Sequence, residues 1–387
     1  MRLTLTAMAA AIALATVPAA AEPVRIGMIT TLSGGGSALG IDIRDGFELA
    51  VKLRGGELGG VPVELTIADD AREPQNATQI AERMLQQDKV QIMTGIVWSN
   101  LALAVVPKVV RADVFYISPN AGPSQLAGRQ CHPNYFNVAW QNDNLHEAVG
   151  QYVRDQGYDN VYLLAPNYPA GKDSIAGFKR FYDGGIAGET YTKLGQLDYA
   201  AEIAQIRAAK PDAVFFFLPG GMGINFIKQY DQAGLKSEIP LFGPGFSFDQ
   251  AILGAVGKAA VGAINSSQWN RDLDNEANRT FVTEFEKAYG RLPSLYASQG
   301  YDAALLIDSA IRVVDGDLSD ADAFRAALKK AEFDSVRGAF AFGANNHPVQ
   351  AIYVREVVTD EQGRTVNKVL AKAFESHKDA YTDECSM

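Results

Sequence analysis

Asp212-Ala-Val-Phe-Phe-Phe-Leu218 decides the fold. Six apolar residues in a row follow a single acid. A strand with one wet face alternates apolar and polar residues, whereas a continuous run suits a strand buried on both faces. The flanks repeat a pattern. Residues 201–209 and 224–233 space their apolar residues as amphipathic helices do, and beyond them 190–194 and 239–242 read as strands. Further out lie a strand at 161–164 and helices at 175–182 and 146–156. Buried strands alternating with helices predict a parallel sheet covered on both faces.

The same rhythm opens the chain. Strands are predicted at 24–29, 61–68, 90–94 and 114–117, with helices at 41–54, 76–87 and 101–110 between them. The chain has 387 residues, too many for one ordinary core. Two doubly wound α/β lobes with parallel sheets are therefore expected. The C-terminal part differs. Helices are predicted at 275–289, 297–314 and 321–331, then strands at 339–342 and 351–358. Those helices have no sheet of their own. The chain is expected to cross back, add them to the first lobe and return to the second, giving a multi-crossing hinge. The expected division is 24–140 plus 271–347 for lobe 1 and 141–270 plus 348–387 for lobe 2.

Residues 1–21 combine Arg2, an Ala-rich apolar stretch and Ala19-Ala-Ala21. That is the pattern of a secretory signal peptide, with Glu22 as the first mature residue. The apolar run is short for a membrane span. Export into a periplasm is expected. Cys131 and Cys385, an even count in an oxidising compartment, are expected to pair in a disulfide. The net charge is −10 without basic clusters, which argues against a nucleic-acid partner. The four histidines, His132, His146, His347 and His377, show no zinc-ligand spacing, so neither a metal nor another cofactor is expected.

Ligands of open parallel sheets bind beyond the carboxyl ends of the strands. In the first half these loops hold Thr30–Gly40, Gly95-Ile-Val-Trp-Ser-Asn100 and Ser118-Pro-Asn-Ala-Gly-Pro-Ser124. In the second half they hold Pro166–Gly171, Pro219-Gly-Gly-Met222 and Gly243-Pro-Gly-Phe-Ser-Phe248. Ser99 and Asn100 precede a helix whose free N–H groups favour an anion, although both residues also serve as ordinary N-caps. Free amides near Asn120, Ala121 and Gly122 are candidate partners for the same carboxylate. Trp98, Tyr168 and Phe246 sit at loop edges where they can sandwich an apolar ligand or pack lobe against lobe. Leu39, Pro219, Gly220 and Tyr301 complete the candidate lining.

Catalytic motifs fail. Gly34-Gly-Gly-Ser-Ala-Leu-Gly40 misses G-x-G-x-x-G because Leu39 takes the last glycine position. His146-Glu-Ala-Val-Gly150 is not H-E-x-x-H, and G-x-S-x-G and G-x-x-x-x-G-K-[ST] do not occur. An enzyme is not expected.

Val24-Arg-Ile-Gly-Met-Ile-Thr-Thr-Leu-Ser-Gly34, Gly46-Phe-Glu-Leu-Ala-Val51, Gly55-Gly-Glu-Leu-Gly-Gly-Val61, Asp69-Asp70, Gly95, Ile117-Ser-Pro119 and Tyr301 occur in an order that resembles the leucine/isoleucine/valine-type solute-binding proteins of ABC importers. The resemblance covers nearly all of the mature chain. It implies a type I periplasmic binding protein, with two lobes joined by three crossings, a small-molecule ligand enclosed when they shut, and delivery to a membrane permease. It places Ser99 and Asn120–Gly122 on the ligand carboxylate and Tyr168 as the closing tyrosine. Members taking α-amino acids commonly carry an acid after the Gly-Pro of the second-lobe loop. Here Gly243-Pro-Gly-Phe246 has none, and the nearest acid is Asp249. A buried ammonium without a partner is costly. The expected ligand is an aromatic or hydrophobic carboxylate, with a branched-chain amino acid as the alternative. A sensing module for a separate signalling partner is the alternative of another class. A monomer is the simplest expectation.

Overall fold

The computed structural model describes residues 22–387; the stretch 1–21, expected to be a signal peptide, lies outside the described residues. Strands β1 (Val24–Thr30), β2 (Glu57–Leu58), β3 (Val61–Asp69), β4 (Ile92–Thr94), β5 (Phe115–Ser118) and β6 (Tyr135–Asn137) form one sheet in the order β2-β3-β1-β4-β5-β6. All its pairings are parallel except the β2–β3 hairpin.

Strands β7 (Asn160–Pro166), β8 (Gly185–Thr192), β9 (Ala213–Phe216), β10 (Leu241–Pro244) and β11 (Ile264–Ser267) form the parallel part of a second sheet. The Asp212–Leu218 run supplies β9, which lies between β7 and β10 and is buried along its whole length, as its composition requires. Strands β12 (Phe340–Phe342), β13 (Pro348–Thr359) and β14 (Thr365–His377) extend this sheet by antiparallel pairing, with β13 as the common partner. The expected boundary at 347 assigns Phe340–Phe342 to the first lobe. Its pairing with Pro348–Gln350 makes it a strand of the second sheet instead.

Helices Glu276–Tyr289, Leu295–Val313 and Ala321–Lys330 lie between β11 and β12 in the chain. The helix Leu295–Val313 packs on the helix Ser37–Leu53 that follows β1. Glycine permits the crossing. A Cβ at Gly46 would strike the carbonyl of Ala297, and one at Gly300 would strike that of Ile43. The chain passes three times between the sheets, at 138–143, 268–275 and 331–339. Buried Arg337 in the third pass donates to the Ala139 carbonyl of the first at 3.1 Å, to Gln350 at 2.8 Å and to Asp302 at 3.0 Å. Arg355 of β13 donates to the Trp269 carbonyl of the second pass at 2.9 Å. Cys131 and Cys385 form a disulfide that ties the C-terminal tail to the loop before β6.

A charge-free aromatic cavity between the lobes

The carboxyl ends of both sheets face one cavity between the lobes. From the first lobe come Leu39, Val97, Trp98, Ser99, Asn120 and Ala121; from the second, Tyr168, Ala170, Phe217, Pro219 and Phe246. Trp140, Asn142 and His146 come from the first crossing and the helix Asn144–Asp155 behind it, and Tyr296 from the start of the long C-terminal helix. None of these residues is Asp, Glu, Lys or Arg.

Trp98 is set from behind. Its indole N–H donates to Thr31 Oγ1 at 2.9 Å, and Thr31 in turn donates to Asp70 at 2.7 Å. The ring lies against Gly36, where a Cβ would sit 2.5 Å from Trp98 Cζ2. The glycine-rich loop after β1 thus makes room for an indole. The Arg72 guanidinium lies 5.7 Å from the same ring, within cation–π range.

Ser99, which lines the cavity, opens the helix Ser99–Arg111; the Leu101 and Ala102 amides donate to the Trp98 carbonyl at 3.0 Å, so the amides of Ser99 and Asn100 are those with no intrahelical acceptor at this positive helix end. Its Oγ accepts from Asn142 Nδ2 at 3.1 Å. The hydroxyl proton is therefore available to a further acceptor. Asn120 donates to the Val97 carbonyl at 2.6 Å and leaves Oδ1 buried without a partner among the described residues.

The aromatic wall is continuous. Ring centroids run from Trp98 to Tyr168 at 6.4 Å, to Phe217 at 6.2 Å, to His146 at 5.2 Å, to Phe246 at 5.8 Å and to Trp140 at 4.2 Å. Burial pushes the Tyr168 phenol far above its usual range, so it stays protonated. Burial pushes the His146 imidazole down to about 3, so it is neutral.

Not every residue chosen at a strand end reaches the cavity. Gly122 uses its amide on Asn142 Oδ1 at 3.2 Å and its carbonyl on the Asn142 amide at 2.8 Å; it positions Asn142 and has no amide left for a ligand. The Ala121 amide faces the Ile96 carbonyl at 3.4 Å. Asn100 and Gly220 lie outside the wall, Gly220 against the Gly35 backbone of the other lobe. Tyr301 packs on Phe281 at 4.8 Å in a different depression. Tyr296 lines the cavity instead; five residues along a helix turn the side chain by about 140°. Asp249 is also absent from the wall. It caps the helix Gln250–Val256 and accepts from the Leu295 amide at 2.9 Å, and burial raises its carboxyl to about 7.

Trp140, Asn142, His146, Phe217 and Tyr296 escape a reading confined to loops after predicted strands. Phe217 directly follows β9, and the 138–144 segment follows β6, a three-residue strand that periodicity does not reveal. Their signal is the density of amides and aromatics in Asn137-Val-Ala-Trp-Gln-Asn-Asp-Asn144.

Two α/β lobes meeting over one cavity, with three passes of chain between them, define a binding protein that encloses its ligand. The chain belongs to the periplasmic binding protein family, whose pattern matches residues 23–363. Leu/Ile/Val-binding protein homolog 6 of Brucella melitensis is 28% identical over 387 residues, covering 98% of each chain. A solute-binding protein of an ABC transporter from R. palustris, solved in complex with benzoate, is 32% identical with a TM-score of 0.89, over 95% of this chain and 100% of that one. Another from Rhodopseudomonas palustris BisB5, in complex with 3,4-dihydroxy benzoic acid, is 30% identical with a TM-score of 0.87, over 92% and 99%.

Proposed function

We propose that this protein is the periplasmic solute receptor of an ABC importer and that it carries an aromatic carboxylate to the permease. The absence of any charged side chain from the cavity wall carries the ligand assignment. An α-amino acid would bury its ammonium with no carboxylate to meet it, a cost of several kcal/mol. An aromatic acid asks only for flat apolar walls and one seat for an anion. The arc from Trp98 to Trp140 offers the walls. The Ser99 hydroxyl and the helix amides beside it offer the seat, with Asn120 and Ala121 flanking. The solved relatives with benzoate and 3,4-dihydroxy benzoic acid support the same class. Residues 1–21 act as the export signal, the mature chain works as a monomer, and the protein acts by binding, without a metal or cofactor. The working lobes are 24–140 plus 271–339 and 141–270 plus 340–387.

A thermal-shift screen of residues 22–387 with aromatic acids, branched-chain amino acids and dicarboxylates tests the assignment. A ligand at about 100 times its Kd adds about 2.7 kcal/mol of stability. Aromatic acids are expected to raise the midpoint. A shift with leucine or valine alone would overturn the ligand class.

A further inference from the structure

His146 is a buried polar side chain, 1% exposed, whose Nδ1 is left without a hydrogen-bond partner among the described residues. Its ring meets Phe215 at 5.7 Å, Phe217 at 5.2 Å and Phe246 at 5.8 Å, all three apolar. An imidazole in such surroundings loses its hydration and gains nothing in return. A phenylalanine would pack there at less cost. Yet His146 is part of the cavity wall.

Its place in the wall is informative. Both ends of the aromatic arc return to the anion seat. Trp98 directly precedes Ser99, and the Trp140 carbonyl backs onto Gly122, next to Ala121. His146 stands in the middle of the arc, two rings from Phe217's neighbour Tyr168 and one from Phe246. A flat acid seated by its carboxylate at Ser99 therefore points its far edge at the imidazole. Held neutral by burial, that imidazole offers one N–H donor and one bare nitrogen acceptor. A phenolic hydroxyl can use either.

We propose that His146 recognises a ring hydroxyl, so that the solute is a hydroxylated aromatic acid rather than an unsubstituted one. This rests on the reading of the cavity as an aromatic-acid site. A ligand without the hydroxyl leaves the imidazole dry and unpaired, and sites built to bond a hydroxyl discriminate strongly against its absence.

The test is calorimetric titration of the mature protein with benzoate and with 2-, 3- and 4-hydroxybenzoate, repeated on His146→Phe and His146→Gln. In the unaltered protein at least one hydroxybenzoate is expected to bind about tenfold to a hundredfold tighter than benzoate. His146→Phe is expected to abolish that preference, so that the ratio of hydroxybenzoate to benzoate affinity falls to within about threefold of one, less than one hydrogen bond is worth. An unchanged far-ultraviolet circular dichroism spectrum and a cooperative thermal transition show the variant to be folded. His146→Gln, which keeps a donor and an acceptor, is expected to retain part of the preference. Equal binding of benzoate and every hydroxybenzoate by the unaltered protein would overturn the inference, as would a preference that survives in His146→Phe. Loss of benzoate along with the hydroxybenzoates in His146→Phe would place the histidine at the carboxylate and overturn it too. If no aromatic acid binds the unaltered protein, the proposed function itself fails, and this inference with it.

Discussion

Ser99 receives a hydrogen bond from Asn142 and keeps its own proton for a ligand. Ser99→Ala removes a donor to a charged group, and such bonds contribute about 1.5–3 kcal/mol. Benzoate affinity, read by calorimetry, is expected to fall by that amount with little change in thermal stability. Trp98→Ala is expected to cost about 1–4 kcal/mol of affinity, as truncation of a central aromatic anchor does; unchanged affinity would remove the indole from the site. His146 links the site to acid stability. Its folded value of about 3 lies below the unfolded value of about 6.5. Its contribution is therefore complete above about pH 6.5 and is lost as pH falls towards the folded value, at up to about 1.4 kcal/mol per pH unit. The difference in unfolding free energy between the unaltered protein and His146→Phe should change by about 2 kcal/mol between pH 7 and pH 5. An unchanged difference would mean that the imidazole is solvated. Trp98, Ser99 and Tyr168 were legible because each lies in the segment between a predicted strand and the helix after it. His146 was not, because nothing in a single helical histidine distinguishes a dry imidazole from an ordinary surface one.

Among the elements, the crossings are the most tightly specified. Arg337 and Asp302 are both fully buried and bonded to one another, with Ser335 also donating to the acid. Burial pushes the Asp302 carboxyl up, and the Arg337 guanidinium opposes that rise. Arg337→Leu would leave the acid without its cation and unbind the first pass from the third. A destabilisation of about 3–5 kcal/mol in urea unfolding is expected; a loss below 1 kcal/mol would show that the crossings stand without it. Apart from the short strands β2 and β6, the alternation of strands and helices was legible from β1 to β10 because buried parallel strands are continuous apolar runs. Strand β14 was not. It is an edge strand with much of one face exposed, and Lys368, Lys372 and Glu375 interrupt its apolar pattern. The return of the late helices to the first lobe was legible only as a consequence: without it they would cover no sheet.

Over the whole molecule, the cavity exists because the lobes meet. Asp173 of the second lobe accepts from the Ser124 amide at 3.1 Å and the Ser124 hydroxyl at 2.8 Å in the first, and from Asn142 at 2.9 Å. Burial raises its carboxyl, and these hydrogen bonds partly offset the rise. Asp173 is not in the cavity wall, so its effect on a ligand runs through closure. A ligand stabilises the closed form only by its preference for that form. Asp173→Ala is expected to weaken benzoate binding by about 1–3 kcal/mol, the cost of interlobe bonds lost in the closed form alone. Small-angle scattering should show a larger radius of gyration in the variant at the same benzoate concentration. Equal affinity would mean that these bonds persist when the lobes part. The cavity selects in the same way, by what it leaves unpaired. The most direct test compares 3-phenylpropanoate with phenylalanine, two acids of one skeleton that differ by an ammonium group, in calorimetric titrations of residues 22–387. A cavity without a charged side chain is expected to hold 3-phenylpropanoate at least about a hundredfold more tightly, since the ammonium would be buried unpaired. Tighter binding of phenylalanine would contradict the aromatic-acid assignment and mean that an acid such as Asp249 or Asp173 reaches the ligand.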